Sequence, residues 1–391
     1  MAAPKLRFKD FDEDWTAKKL SQVANLTSSK RVHLSDYVSE GIPFFRGKEI
    51  TELKSGIFPK DILYISKKQY EDFKEKFGAP QNNEILMTAV GTLANTYLIN
   101  TDFEFYFKDG NLIWFKDINA DPNFLMILLD ARKNDVLASA IGSTQKALTI
   151  ANLNKLIFNF PSNEEQTKIA TFLSAVDEKI SQLTQKHELL SQYKQGMMQK
   201  LFSQQLRFKA DDGSEFGEWE KTTLGKVVNF QNGKRVPLSE SDRQKRQGEY
   251  RYYGASGVID HIDDYIFDGQ YILIGEDGAN IITRSSPLAF IVEGQFWVNN
   301  HAHIFQSKNG SNVFLAAYLE SLNYEKFNSG TAQPKLNLDN LKKVPVINPC
   351  LDEQIKIANF LSAIDQKIEV VAQQIEQAKQ WKKGLLQQMF I

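Results

Sequence analysis

The chain has one cysteine, Cys350, in 391 residues, so no internal disulfide is available. That favours a reducing, cytoplasmic setting. With five histidines and that one cysteine, little is left for a metal centre. No apolar run approaches the roughly 18–20 residues needed to span a bilayer, so no membrane role is expected. The segment from Met1 to Asp10 is basic and lacks the apolar stretch of a secretory signal. Net charge is only −1, which argues against a protein that binds nucleic acid by bulk positive charge. No Gly-x-Gly occurs, so the dinucleotide fingerprint is missing, and no Gly-Lys has the upstream glycine of a phosphate-binding loop. Cys-x-x-Cys, His-Glu-x-x-His and the Asn-Pro-Pro-aromatic motif of an adenine methyltransferase are absent too. The carboxylates show no spacing that singles out a catalytic pair. The sequence contains no recognisable enzyme.

What it does contain is a repeat. The segment Glu165 to Asp177 (EQTKIATFLSAVD) returns as Glu353 to Asp365 (EQIKIANFLSAID) at an offset of 188. The same offset relates Gly142–Gln145 to Gly330–Gln333 and Phe202 to Phe390. Nearer the start, Trp15, Leu20, Val23, Asn25 and Lys30-Arg31-Val32 recur as Trp219, Leu224, Val227, Asn229 and Lys234-Arg235-Val236, offset by 204. The region between the anchors is thus 16 residues longer in the first copy. A period this long is duplication of a whole module rather than a solenoid.

Each copy ends in a heptad-like stripe. In the first it is Ile169, Leu173, Val176, Ile180, Leu183 and Leu190, continuing to Met197 and Leu201. In the second it is Ile357, Leu361, Ile364, Ile368, Val371 and Ile375. Neither run contains proline, and each predicts one long helix of ~58 Å, at about 1.5 Å per residue. Ser162 and Glu165 fit a capping box, whereas Cys350 takes the serine's place in the second copy and leaves Asp352 as its candidate cap. Basic and acidic residues balance in both helices, so neither is a DNA clamp. Two such stripes in one chain are expected to bury each other in an antiparallel coiled coil. Gly196 and Gly384 predict a kink or a close contact.

Before each helix, short apolar runs bounded by Gly and Asp predict strands, among them Leu112–Phe115, Tyr271–Ile274 and Ala289–Val292. Short helices are expected near Phe124–Leu129 and Phe314–Leu322. The fold class is α/β: two mixed α/β domains, each followed by a long helix. His301 and His303 alternate as on a strand and should share a face, as a packed pair rather than a metal site. Asn299, Asn300 and His301 form a polar cluster expected to be structural.

This constellation resembles the specificity subunit of a type I restriction–modification system. The features that carry it are the Leu-Arg-Phe-Lys lead-in (Leu6–Lys9, again Leu206–Lys209), the Trp and Lys-Arg opening, the glutamine-bearing turn and the doubled helix motif. The resemblance covers essentially the whole chain. It implies target-recognition domains at residues 1–163 and 206–351, each reading half of a split, asymmetric double-stranded DNA site. It implies conserved helical spacers at residues 164–205 and 352–391. It further implies two methyltransferase subunits that hold S-adenosylmethionine, and restriction/translocase subunits. No cofactor would bind this chain directly. A competing reading is a helical scaffold whose globular halves bind proteins.

Lys30, Arg31, Lys234 and Arg235 recur in both halves and so suit phosphate contacts. Residues that differ between the halves suit base edges: Arg46 and Lys48 in the first, and Arg251, Tyr252, Tyr253 and Ser256 in the second. Gln145, Lys146, Gln333 and Lys335 sit in the glycine-led turns and could reach a groove. Residues 1–163 sum to +1 and residues 206–351 to −2, short of the basic excess of an autonomous DNA binder.

Overall fold

The computed structural model describes residues 4–330 and 333–390, so residues 331 and 332 of the repeated Gly330–Gln333 turn lie outside the described residues. The chain forms two compact units, Met1–Leu183 with Gln374–Ile391, and Thr184–Gln373. Each combines a globular segment with part of both long helices, Asn163–Phe202 and Leu351–Phe390.

In the first unit, the central sheet runs Asn25–Thr27, Leu112–Lys116, Ile85–Thr88, Thr96–Leu98, all antiparallel. The strand Ile85–Thr88 is buried at every position. Ile85 and Met87 enter one apolar cluster while Leu86 enters another, so both faces of the sheet are covered. This is why the strand reads as an unbroken apolar run rather than an alternating one. Burying each such side chain contributes about 1.5–3 kcal/mol. A second sheet, Tyr37–Val38, Leu63–Ile65, Ile42–Phe45, Tyr106–Phe107, lies beside it. Asp121 caps the apolar helix Pro122–Ala131 by accepting from the Phe124 N–H, and that helix closes the main core.

The second unit repeats the central sheet as Val228–Phe230, Ala302–Ser307, Tyr271–Gly275, Ala289–Val292. Again the middle strand is buried on both faces, Ile272 and Ile274 in one cluster and Leu273 in the other. Here the second sheet is different: a long hairpin, Gln247–Gly254 with Gly257–Ile262, pairs onto Gln295–Val298, whose other edge pairs with Phe267–Asp268. The unlike sheets are where the two sequence copies diverge.

The two units anchor their helices alike. Arg7 donates to both Glu165 oxygens at 2.7 and 2.8 Å, and Arg207 does the same to Glu353 at 3.0 and 2.7 Å. Gln166 Nε2 donates to the Pro161 carbonyl and Gln354 Nε2 to that of Pro349, both at 2.9 Å. Because Glu165 serves Arg7, the capping box is only half formed: the Ser162 hydroxyl accepts from the Glu165 N–H at 3.3 Å. In the second copy the Gln354–Pro349 bond stands at the helix entry, and Asp352 lies exposed in the first turn.

The long helices run antiparallel within each unit. In the first, Asp177 meets Lys382 at 2.5 Å while Ile169 and Leu173 cluster with Leu385 and Met389. In the second, Lys194 meets Asp365 at 2.6 Å while Leu201 clusters with Ile357 and Leu361. Ile169, Leu173, Val176, Leu183, Ile357, Leu361, Ile364 and Val371 are buried. Ile180, Leu190, Ile368 and Ile375 are half-buried. The stripe therefore faces inward as its spacing required. The close contact expected at Gly196 and Gly384 does not occur, since a Cβ at either would meet open space. No helix among the described residues is long and apolar enough to cross a membrane.

Candidate nucleic-acid interface

In each unit one end of the central sheet gathers the polar loops. In the first unit the strand ending at Thr88 leads to Ala89, whose N–H donates to the Asn111 carbonyl at 2.8 Å and whose carbonyl accepts from the Leu148 N–H at 2.9 Å. Those bonds bring together the loop before Leu112 and the turn before Leu148. That turn is a small hairpin closed by reciprocal Ile141–Ala147 bonds, with residues 141–146 all exposed. Gly142 is required there: at φ +108° any Cβ would lie 2.3 Å from the Gln145 carbonyl oxygen.

The second unit builds the same place with the same bonds. Glu276 donates its N–H to the His301 carbonyl at 2.8 Å and accepts from the Leu336 N–H at 2.7 Å. The Ser329 N–H donates to the Lys335 carbonyl, closing the equivalent turn, and a Cβ on Gly330 would fall 1.8 Å from the Gln333 oxygen. Gln145 and Gln333 thus sit exposed on matching turns beside Lys146 and Lys335.

The remaining sequence-derived candidates divide. Lys30 is exposed with its ammonium 4.3 Å over the Phe77 ring, and Arg31 is exposed and paired with Asp109 at 3.0 Å. Both lie at the gathered end, as does exposed Lys234. Arg235 does not match Arg31: it is largely buried, ion-paired with Glu276 at 2.9 Å and bonded to the Ala302 carbonyl at 2.7 Å. With Nε bonded to the Asn232 carbonyl and Nη1 to Glu276 and Ala302, Arg235 braces the loop, which corrects the expectation that it stands free for a phosphate as Lys234 does. Arg46 precedes the helix Gly47–Lys54 and is bound to Glu49 at 2.5 Å. Burial works against the Glu49 charge, but hydrogen bonds from the Arg46 side chain and backbone prevail and hold that carboxyl below its ordinary range. Lys48 is exposed, 3.8 Å from Glu52. This helix start packs on Thr88, so Arg46 and Lys48 border the same site.

Tyr252 and Tyr253 require the largest correction. They belong to the strand Gln247–Gly254, 1 % and 5 % exposed, with Tyr252 packed beside Ile262 and Trp297 and Tyr253 beside Phe267 and Phe296. Consecutive residues point to opposite faces of a strand, and here both faces are covered. They are core residues. Arg251 is tied to the Glu293 carbonyl at 2.7 Å, in the turn at the opposite end of the sheet. Ser256 stays exposed at the hairpin tip, whose Ala255 carbonyl lies against Gly275.

His301 and His303 part company. His303 is buried, donating from Nε2 to the Leu336 carbonyl at 2.7 Å and accepting at Nδ1 from Asn232 at 2.8 Å. Burial lowers its pKa, against an opposing bond to the carbonyl and the nearby Glu276 charge. His301 instead is exposed and paired with Asp277 at 2.8 Å. Asn299 is buried and its side chain accepts from the His301 N–H. Sequence reasoning passed over Asp277, for which only its place two residues after a buried strand gave a signal. Among the described residues no three His, Cys, Asp or Glu side chains group to hold a metal.

Residues 12–192 and 217–380 match the family model described as the type I restriction modification DNA specificity domain. The chain belongs to that family. The specificity-subunit relatives include a Methanocaldococcus jannaschii type I restriction enzyme specificity subunit, 26 % identical over 89 % of this chain and 90 % of that protein. A Haemophilus influenzae protein assigned as a type I specificity subunit is 35 % identical over 154 residues, and that match spans only 39 % of this chain and 38 % of the relative. The crystal structure of a type I S subunit from Mycoplasma genitalium shares the fold, with a TM-score of 0.64 at 19 % identity over 100 % of this chain and 99 % of that one.

Proposed function

We propose that this specificity subunit reads a bipartite, asymmetric double-stranded DNA site, one half with each gathered sheet end. Residues 1–163 and 206–351 act as the two target-recognition domains, and residues 164–205 and 352–391 as the spacers between them. The observation that carries this reading is the pair of matching sheet ends, where Ala89 and Glu276 each donate to the loop before the neighbouring strand and accept from Leu148 or Leu336, with unlike side chains around them. A like frame fixes how each unit meets a duplex, and unlike groups let each meet different bases.

Two methyltransferase subunits dock on the repeated helices and bring S-adenosylmethionine, and restriction/translocase subunits join them in the cytoplasm. The chain itself is non-catalytic. Its near-neutral halves favour a division of labour in which partners neutralise most phosphates. The test is a binding titration at physiological salt with the chain alone and with its methyltransferase. Weak binding alone and tight, sequence-specific binding in the complex is expected. Tight specific binding by the lone chain, or transfer of label from a methyl donor by it, would contradict the reading.

A further inference from the structure

At one backbone position the two units present different chemistry. Asn111 and His301 occupy equivalent places, each giving its carbonyl to the residue after the central strand at 2.8 Å. One residue beyond the donors, Ala89 and Glu276, come Val90 in the first unit and Asp277 in the second. The second unit thus replaces an amide beside an aliphatic residue with an imidazole beside a carboxylate.

His301 is held through its backbone on two sides and through its ring on a third. The His301 N–H donates to Asn299 Oδ1 at 2.8 Å, its carbonyl accepts from Glu276, and Nδ1 lies 2.8 and 3.0 Å from the two Asp277 oxygens. A carboxylate only accepts, so Nδ1 carries the proton. That leaves Nε2, which has no hydrogen-bond partner among the described residues, on a side chain 53 % exposed. The Asp277 backbone lies in an antiparallel β-bridge with that of Lys335, which brings the pair beside Gln333. A packed structural histidine looks like His303, with both nitrogens satisfied and 1 % exposed. His301 has the opposite arrangement: an oriented ring with its outer nitrogen offered to whatever covers the sheet end.

We propose that His301 reads one base of the half-site assigned to residues 206–351, through Nε2, with Asp277 as its positioning residue. This rests on the DNA-reading function above. With the Nδ1 proton directed at Asp277, Nε2 is an acceptor, which suits the exocyclic amino group of adenine or cytosine and not the O6 and N7 acceptors of guanine.

The test is the methylated motif in a host carrying this chain and its methyltransferase, read by modified-base sequencing. His301→Ala is expected to lower discrimination about tenfold at one position of one half-site and to leave the other half-site intact. Asp277→Ala should weaken the same position, and the double variant should be no worse than His301→Ala, since both remove one contact. His261→Ala, on the exposed hairpin strand away from this end, should leave the motif unchanged. Melting curves of the purified complexes establish that the variants fold, and His301→Leu removes the ring nitrogens while keeping bulk should the alanine variant not fold. An unchanged motif in folded His301→Ala or His301→Leu overturns the assignment alone. A wild-type chain that directs no sequence-specific methylation overturns the underlying reading and the assignment with it.

Discussion

Arg207 holds Glu353 by two parallel hydrogen bonds, 3.0 Å from Nε and 2.7 Å from Nη2, and the glutamate side chain is fully buried. The same oxygen that accepts from Nη2 also accepts from Trp219 Nε1 at 2.7 Å. One carboxylate therefore ties the lead-in and the Trp219 segment to the start of the second long helix. Arg207→Ala would strand that charge in the interior. Losing one partner of a buried pair costs about 3–5 kcal/mol. Urea unfolding should show a loss in that range, larger than for Lys209→Ala at the exposed pair with Glu215.

The seam ion pairs Lys382–Asp177 and Lys194–Asp365 are partly exposed, so each is worth about 0–1 kcal/mol. Lys194→Asp puts two carboxylates together and should destabilise by about 1 kcal/mol, with Asp365→Lys in the same chain restoring most of it. A double-mutant cycle on unfolding free energies checks this.

His303 gives the second unit a pH dependence. Its folded pKa lies below the ordinary value because burial disfavours the imidazolium. Asn232 also offers a donor to Nδ1, where the second proton would have to go. The unfolded chain therefore binds more protons once pH falls to about 6.5, and stability declines below that point by at most about 1.4 kcal/mol per pH unit. Unfolding measured at pH 7.5 and 5.5 should show this slope reduced in His303→Gln.

Gly142 and Gly330 hold turns that a side chain would break, because a Cβ at either lies within 2.3 Å of a carbonyl oxygen. Alanine at Gly142 should cost at least about 1 kcal/mol locally, since a positive φ is strained for any other residue. Because residues 141–146 are exposed, the melting temperature should barely move while methylation of one half-site falls. Melting curves and methylation rates on the same protein separate the two effects.

The sequence made the repetitive and apolar parts legible. Heptad spacing gave both long helices, and unbroken runs gave the central strands, as at Ala289–Val292. The strands Thr16–Lys19 and Glu220–Thr223 were not legible, because they are mostly exposed and take their form from pairing with Ile157–Phe160 and Pro345–Asn348 more than 120 residues away. Tyr252 and Tyr253 were misread for a related reason: adjacent aromatics look like loop residues unless both faces of their strand are known to be covered. Arg31 and Arg235 occupy matched sequence positions, yet only the second faces a glutamate like Glu276, and no local pattern announces that. At the site, the turn glutamines were visible from the repeat, while the His301–Asp277 pair depends on a contact across 24 residues.

The central claim is that each unit specifies its own part of one split DNA site. Its most direct measurement replaces residues 206–351 with those of a relative of different specificity and sequences the methylated motif in vivo. The account predicts a hybrid motif, with one half changed and the other retained. A motif unchanged in both halves, or altered in both, would contradict it.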